Sequence, residues 1–506
     1  MLWLLGSAVK KESKALSLAT VRKASMALTK FAARAGDASM QQMHDAVYGI
    51  RRLLERAEIQ DRRGFIWQEN QEDAAAALGR VAEVCAERAG ETSLMIVEAA
   101  LRLVTRVLEK GGEELRLSAQ LQSAFGDLLA HLVEHEQAGA EQYVAAIWAA
   151  GTASAAGATL PPGTTETVKR LVQNIRNTIG TFTDRNVSET VMGIGKVFRF
   201  AEIDEDTARA VRDITGCLKD TQFRRHKQYG ISVSGNVVDY LDPGILSQAI
   251  WSIGRIASTQ EDAAAALWWE HGPTPEMVFD LFEALGERRM DLEAPKPIVD
   301  AVWAIGIIAE CGLAYAPNGD GWVPPHRVVR ALRNLLDRFL ALVAQARESQ
   351  PASSGSILLD GIAMFCSTGA WTLGKDDCAA VCGVFKLLSR DAVRGGGPKE
   401  WQITLRSAGR LWEDAGHAFQ QASSGKLPDC ADLATHVHDI AQRLLASIDV
   451  ADVGERWGQL HRTFVNSRGL HPEVLAQAFG EPIRETVEEC IRKIKIRSLG
   501  GNVPPH

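Results

Sequence analysis

Apolar residues recur along this chain at helical spacing, in pairs of segments parted by short polar or proline-bearing breaks. In residues 277–285, Val278, Leu281, Phe282 and Leu285 fall on one side of a helix. Thr274 and Pro275 precede them as N-cap and first-turn proline. A break at 294–297 carries two prolines, and a second apolar helix is predicted over 298–311, closed by Gly312 as a C-terminal cap. The unit 275–312 is a helix–turn–helix of 38 residues. Neither helix is polar over enough of its surface to stand alone, so such units must stack.

The same order recurs elsewhere. Residues 115–157 place Leu121, Phe125, Leu128 and Leu129 ahead of a second apolar helix, and 164–201 place Val168, Leu171, Val172 and Ile175 ahead of another. Residues 325–374 begin with Val328, Val329, Leu332, Leu335, Leu336 and Phe339. There a Ser/Gly-rich insert, 350–356, is expected before the second helix. Later pairs, at 382–416, 431–469 and 471–496, are less regular. The second helices share a phrase: Ala301-Val302-Trp303-Ala304-Ile305-Gly306 and Ala249-Ile250-Trp251-Ser252-Ile253-Gly254 are the clearest copies. Looser ones are Ile147-Trp148-Ala149-Ala150-Gly151, Met192-Gly193-Ile194-Gly195 and Ala370-Trp371-Thr372-Leu373-Gly374. A mid-helix glycine costs roughly 0.5–1 kcal/mol against alanine, so its retention implies that neighbouring helices approach too closely for a Cβ. Trp148, Trp251, Trp303 and Trp371 are expected to be buried packing residues, and Gly254 and Gly306 to sit at helix contacts. The predicted fold is all-α, an α-solenoid of about nine stacked hairpins in a right-handed superhelix. Its expected segments are a basic stretch at 1–36, regular repeats over 37–376, and divergent repeats with a cap over 377–506.

A 38-residue hairpin whose second helix carries this Trp–x–x–Gly phrase resembles the octotricopeptide repeat, and the related repeats of FAST-kinase-like and RAP-domain proteins of mitochondria and plastids. The resemblance implies an organellar helical-repeat protein that binds RNA or belongs to an RNA-containing assembly. A mitochondrial ribosome is the leading instance, with ribosomal RNA and neighbouring proteins as partners. The alternative is a protein–protein scaffold, or an accessory subunit of a mitochondrial complex, without RNA contact. The tail 492–497 is too short for a RAP-like domain.

Charge and chemistry adjust this picture. A formal charge of −7 supplies no global basic field for nucleic acid. Locally, Arg51 and Arg52, the run Arg224, Arg225 and Lys227, and the helix face Arg327, Arg330 and Arg333 are the candidate phosphate contacts. Residues 1–36 hold seven Lys or Arg against one acid, as an import signal or a basic first helix would. This favours a mitochondrial location, with the plastid second. No run of 18 uncharged apolar residues announces a membrane span. Eight cysteines without a Cys-x-x-Cys pair make no disulfide framework, and Cys378 and Cys382, one turn apart, are read as small buried residues. His131-Leu132-Val133-Glu134-His135 matches a zinc-peptidase signature, but it ends the first helix of a repeat and is read as a polar helix terminus. Asn318-Gly319-Asp320-Gly321 is read as a turn, and 395–399 as a connector. No enzyme activity, cofactor, metal ion or small-molecule substrate is expected.

Overall fold

A computed structural model describes residues 26–39, 41–50, 71–91, 93–110, 119–155, 161, 163–198, 203–228, 242–259, 262–315, 323–345, 352–390, 396–450 and 456–499. Arg51, Arg52, the 318–321 turn and most of the basic segment 1–36 therefore lie outside the described residues. Arg224, Arg225 and Lys227 belong to a described helix, but their side chains lie outside the description.

Among the described residues the chain is all-α, and it divides into two compact units, 1–221 and 222–506. In the first, helices α1 (26–32) and α2 (41–50) are followed by α3 (Gln71–Glu87), α4 (Leu94–Lys110), α5 (Ala119–Glu134), α6 (Ala140–Ala155), α7 (Thr164–Thr178) and α8 (Asp184–Val197). The boundary falls inside α9 (Glu205–Gln228). The first helices α3, α5 and α7 pack in one row and the second helices α4, α6 and α8 in another, as stacked hairpins require. The residues singled out by spacing, Leu121, Phe125, Val168, Leu171 and Ile175 among them, are buried between the rows.

The second unit holds α10 (Pro243–Ala257), α11 (Asp262–His271), α12 (Pro275–Glu287), α13 (Pro295–Tyr315), α14 (His326–Gln345), α15 (Ala352–Ser367), α16 (Lys375–Ser389) and α17 (Pro398–Asp414). It continues with α18 (His417–Ser423), α19 (Leu433–Val450), α20 (Arg456–Asn466), α21 (Pro472–Phe479) and α22 (Glu481–Ser498). The second-helix row is α10, α13, α15, α17; the first-helix row is α12, α14, α16, α19, α22. Packing is continuous through α15, α16 and α17, across residue 376, where the regular repeats were expected to give way to divergent ones.

Local chemistry sets the helix starts. Thr274 accepts a hydrogen bond from the Met277 N–H at 3.4 Å, with Pro275 in the first turn. Thr183 does the same for Asn186 at 3.2 Å at the head of α8. Several boundaries differ from those expected. Gly312 does not cap α13; it is buried inside a helix that runs on to Tyr315. Most of the Ser/Gly-rich insert forms the first turns of α15, because Gly355 lets that helix seat against Leu388. By length and composition α13 is apolar enough to cross a membrane, with mean hydropathy 1.7. Here its apolar side is packed between α10 and α15.

The glycines explain the tight second-helix row. A Cβ on Gly254 would stand 2.6 Å from the Ala304 Cβ, and one on Gly193 would stand 2.8 Å from the Ile147 carbonyl oxygen. A Cβ on Gly361 would stand 2.6 Å from the Val302 carbonyl oxygen. Gly306 meets Gly361 in return, so the glycine of α15 equivalent to Gly306 is Gly361, not Gly374. Gly374 precedes α16 as its N-cap, and Trp371 lies in the connection before it.

Candidate functional site: the outer face of the second-helix row

A helix gripped on two sides by neighbours leaves one stripe uncovered, and on α10 and α13 that stripe carries the tryptophans of the repeated phrase. Trp251 and Trp303 are half-buried, as is Trp148 in the first unit, and of the four expected packing tryptophans Trp371 is the one fully buried. The reason is geometric: the glycine three residues on faces the neighbouring helix, which turns the indole towards the edge of the contact. Each ring is covered by a cation instead. The Arg255 guanidinium lies 6.0 Å from the Trp251 ring centroid and 5.7 Å from that of Trp303, bridging α10 and α13. Lys196 stands 4.0 Å over Trp148. Trp371 is the buried one, 2% exposed, and its indole N–H donates to Asp377 at 3.1 Å.

The stripe continues with ion pairs. Arg410 of α17 donates to Ser367 at 3.1 Å and reaches across α15 to Glu310 of α13. Arg406 donates to the buried Asp360 of α15 at 2.7 Å. Ile307 of α13 and Ile357 of α15 are half-buried. The surface is thus a mixed one, with two tryptophans and an arginine at one end and paired arginines at the other.

The arginine face of α14 is differently disposed from what its sequence suggested. Arg327 pairs with Asp280 at 2.6 Å and Glu283 at 3.5 Å, and Arg330 pairs with Glu283 at 2.7 Å, all across the α12–α14 contact. Arg333 turns the other way and forms a two-pronged bond with Asp377 of α16, at 2.7 and 2.8 Å. Arg338 donates to the Leu292 carbonyl at 2.6 Å. Each of these arginines ties one hairpin to the next. Burial pushes the Asp377 carboxyl up; hydrogen bonds from Arg333, the Gly374 N–H and Trp371 outweigh it and hold the group below the ordinary carboxylate range.

The remaining candidates are local. The His131 and His135 rings meet edge-on at 5.7 Å where α5 ends, and burial with the neighbouring His135 pushes the His131 imidazole below its ordinary value. Among the described residues no group of three His, Cys, Asp or Glu is arranged to hold a metal ion. Cys378 and Cys382 are buried, and burial pushes the Cys378 thiol up to about 12.

No family model matches the chain, and no characterised protein matches it significantly. The octotricopeptide likeness accordingly remains one of repeat pattern. Among solved structures the chain is similar to a circular tandem repeat protein with novel repeat topology and enhanced subunit contact surfaces. That match has 12% sequence identity and a TM-score of 0.26, over 94% of this chain and 99% of the other. Similarity at that level carries no argument, and the helical-repeat assignment rests on the packing described above.

Proposed function

We propose that this protein is a non-catalytic helical-repeat scaffold that binds a protein partner on the outer face of its second-helix row. The observation that carries the reading is the engagement of Arg327, Arg330 and Arg333 by Asp280, Glu283 and Asp377. Phosphate binding needs guanidinium groups whose charge is not already balanced, and a chain of net charge −7 has little to add. Partly buried Trp251, Trp303 and Arg255 are instead the residue types that anchor protein interfaces. The test is affinity purification of the full chain from its native cells, with and without nuclease. A stoichiometric protein partner that survives nuclease, and is lost from an Arg255→Glu variant of unchanged melting temperature, supports the reading. Loss of every partner on nuclease treatment defeats it.

A second reading has one observation behind it. Tryptophan rings flanked by cations, as at Trp148–Lys196 and Trp251–Arg255–Trp303, also suit stacking of single-stranded bases. On that reading the protein is an RNA-associated subunit of a mitochondrial ribosome or related ribonucleoprotein. Nuclease-sensitive RNA copurifying with the wild type, and absent from Trp303→Ala, is the result that favours it. We extend both readings to a mitochondrial location on the basic, acid-poor composition of residues 1–36, which import into isolated mitochondria tests directly.

A further inference from the structure

Four of the chain's eight cysteines gather in one part of the second unit. Cys366 lies in the last turn of α15, Cys378 and Cys382 lie one turn apart on α16, and Cys430 ends the short turn Pro428–Cys430 between α18 and α19. All four are buried. α16 packs against that turn, and there the Cys382 thiol donates a hydrogen bond to the Cys430 sulfur. Cys378 lies within electrostatic reach of Cys430 from one turn earlier on the same helix.

Two hydrogen-bonded thiols already have their sulfurs in contact, the first requirement for joining them. The pair is 48 residues apart in sequence and links α16 to the entry of α19, its neighbour in the first-helix row. The two environments differ in a useful way. Cys382 is held inside α16, whereas Cys430 belongs to a turn whose neighbouring residues Pro428, Asp429, Ala431 and Asp432 are exposed. Opening of that turn alone brings Cys430 to solvent. With the turn closed, burial pushes both thiols up and keeps them protonated, which is the unreactive form. The pair therefore rests reduced and reacts through the open turn.

We propose that Cys382 and Cys430 are a redox-sensitive pair, which a hydroperoxide converts into a disulfide bracing α16 against the entry of α19. In the open turn the Cys430 thiolate attacks the O–O bond of the peroxide. With hydrogen peroxide this gives a sulfenic acid and hydroxide, and the hydroxide takes up the proton that the thiol released. As the turn closes, the Cys382 sulfur attacks the Cys430 sulfur and displaces hydroxide, which leaves as water with the Cys382 proton. Two thiols and one hydrogen peroxide become one disulfide and two waters. While the bond stands, two neighbouring hairpins are joined covalently and that part of the stack cannot part.

The test is treatment of the folded, reduced full chain with hydrogen peroxide, followed by catalase, alkylation of the remaining thiols in denaturant and peptide mapping without reduction. The expected result is one dominant intramolecular disulfide, Cys382–Cys430, with a melting temperature raised by at least about 3 °C and returned by dithiothreitol. The rise should vanish in Cys382→Ser and in Cys430→Ser, and persist in Cys311→Ser, a change at a half-buried cysteine of α13. If either of the first two variants fails to fold, the mapped bond and the reversible rise in the wild type decide alone. Cys382 and Cys430 both remaining free to alkylate after peroxide overturns the proposal. So does a dominant Cys378–Cys430 bond, or Cys430 driven on to sulfinic acid without a partner. A Cys382–Cys430 bond that leaves the melting temperature unchanged overturns the brace.

Discussion

Gly306 of α13 and Gly361 of α15 lie backbone to backbone. A Cβ on Gly306 would stand 2.9 Å from the Gly361 Cα, and a Cβ on Gly361 would stand 2.7 Å from the Trp303 Cα. Real Cβ atoms are not found that close to a backbone, and neither helix can retreat without opening its contacts on the other side. Gly306→Ala and Gly361→Ala should therefore each destabilise by about 1–3 kcal/mol despite alanine's better helix propensity. Gly458 is the contrast: it lies in α20 with nothing within 4 Å of the Cβ it would gain. Gly458→Ala should stabilise by roughly 0.5–1 kcal/mol. Urea denaturation of the three variants decides it, and the packing argument fails if all three shift in the same direction.

The tryptophans should separate by environment, not by shared sequence phrase. Trp371 is buried and hydrogen-bonded to Asp377, so Trp371→Ala should cost about 3–5 kcal/mol. Trp303 is half-buried under Arg255, and Trp303→Ala should cost roughly 1–3 kcal/mol, since only part of its surface leaves water on folding. Denaturation midpoints giving Trp303→Ala the larger loss would show that the phrase marks a core position after all.

The helices and their pairing were legible because a helical period and a mid-helix glycine are local signals, readable within a dozen residues. The equivalence of repeats was less so. The Trp371–Gly374 segment imitated the phrase while lying between helices, and the glycine that does the work, Gly361, follows Asp360 and has no tryptophan before it. A buried aspartate looks wrong in a core helix until Arg406 is seen to reach it from the next hairpin. The arginine face of α14 misled for the same reason. Its partners are 44 and 47 residues away, about one repeat, and a sequence read helix by helix sees only unbalanced positive charge. Comparing acids and bases one repeat apart is the signal that would have found them.

Asp377 makes stability depend on pH in a defined sense. Its carboxyl is held below the ordinary value of 3.8 in the folded chain, so the carboxylate's contribution is present above that value. It is lost as the pH falls through the lowered folded value. Asp377→Asn should lower the melting temperature at neutral pH and flatten its decline in acid, because the variant has no proton to take up at this site. A wild type and variant whose melting temperatures fall in parallel through the acid range would show that this group does not carry the dependence.

Reversing Arg327, Arg330 and Arg333 to Glu distinguishes the two meanings of the α14 face. As phosphate contacts on a solvated surface, the three could be reversed with the fold intact and RNA retention lost across all sequences. As ties between hairpins, they cannot. Reversal sets new carboxylates against Asp280, Glu283 and the buried Asp377, and loss of a partner by a buried charge costs about 3–5 kcal/mol. The triple variant should therefore be strongly destabilised, with most of the loss traced to Arg333→Glu. Arg330→Ala keeps the test clear of unfolding: its side chain is 61% exposed, and removing an exposed pair should cost less than about 1 kcal/mol. If that variant melts like the wild type yet sheds copurifying RNA, the α14 face contacts phosphate in addition to its acids. Unchanged retention, together with collapse of the triple variant, leaves these arginines as staples of the stack and the second-helix face as the surface that meets the partner.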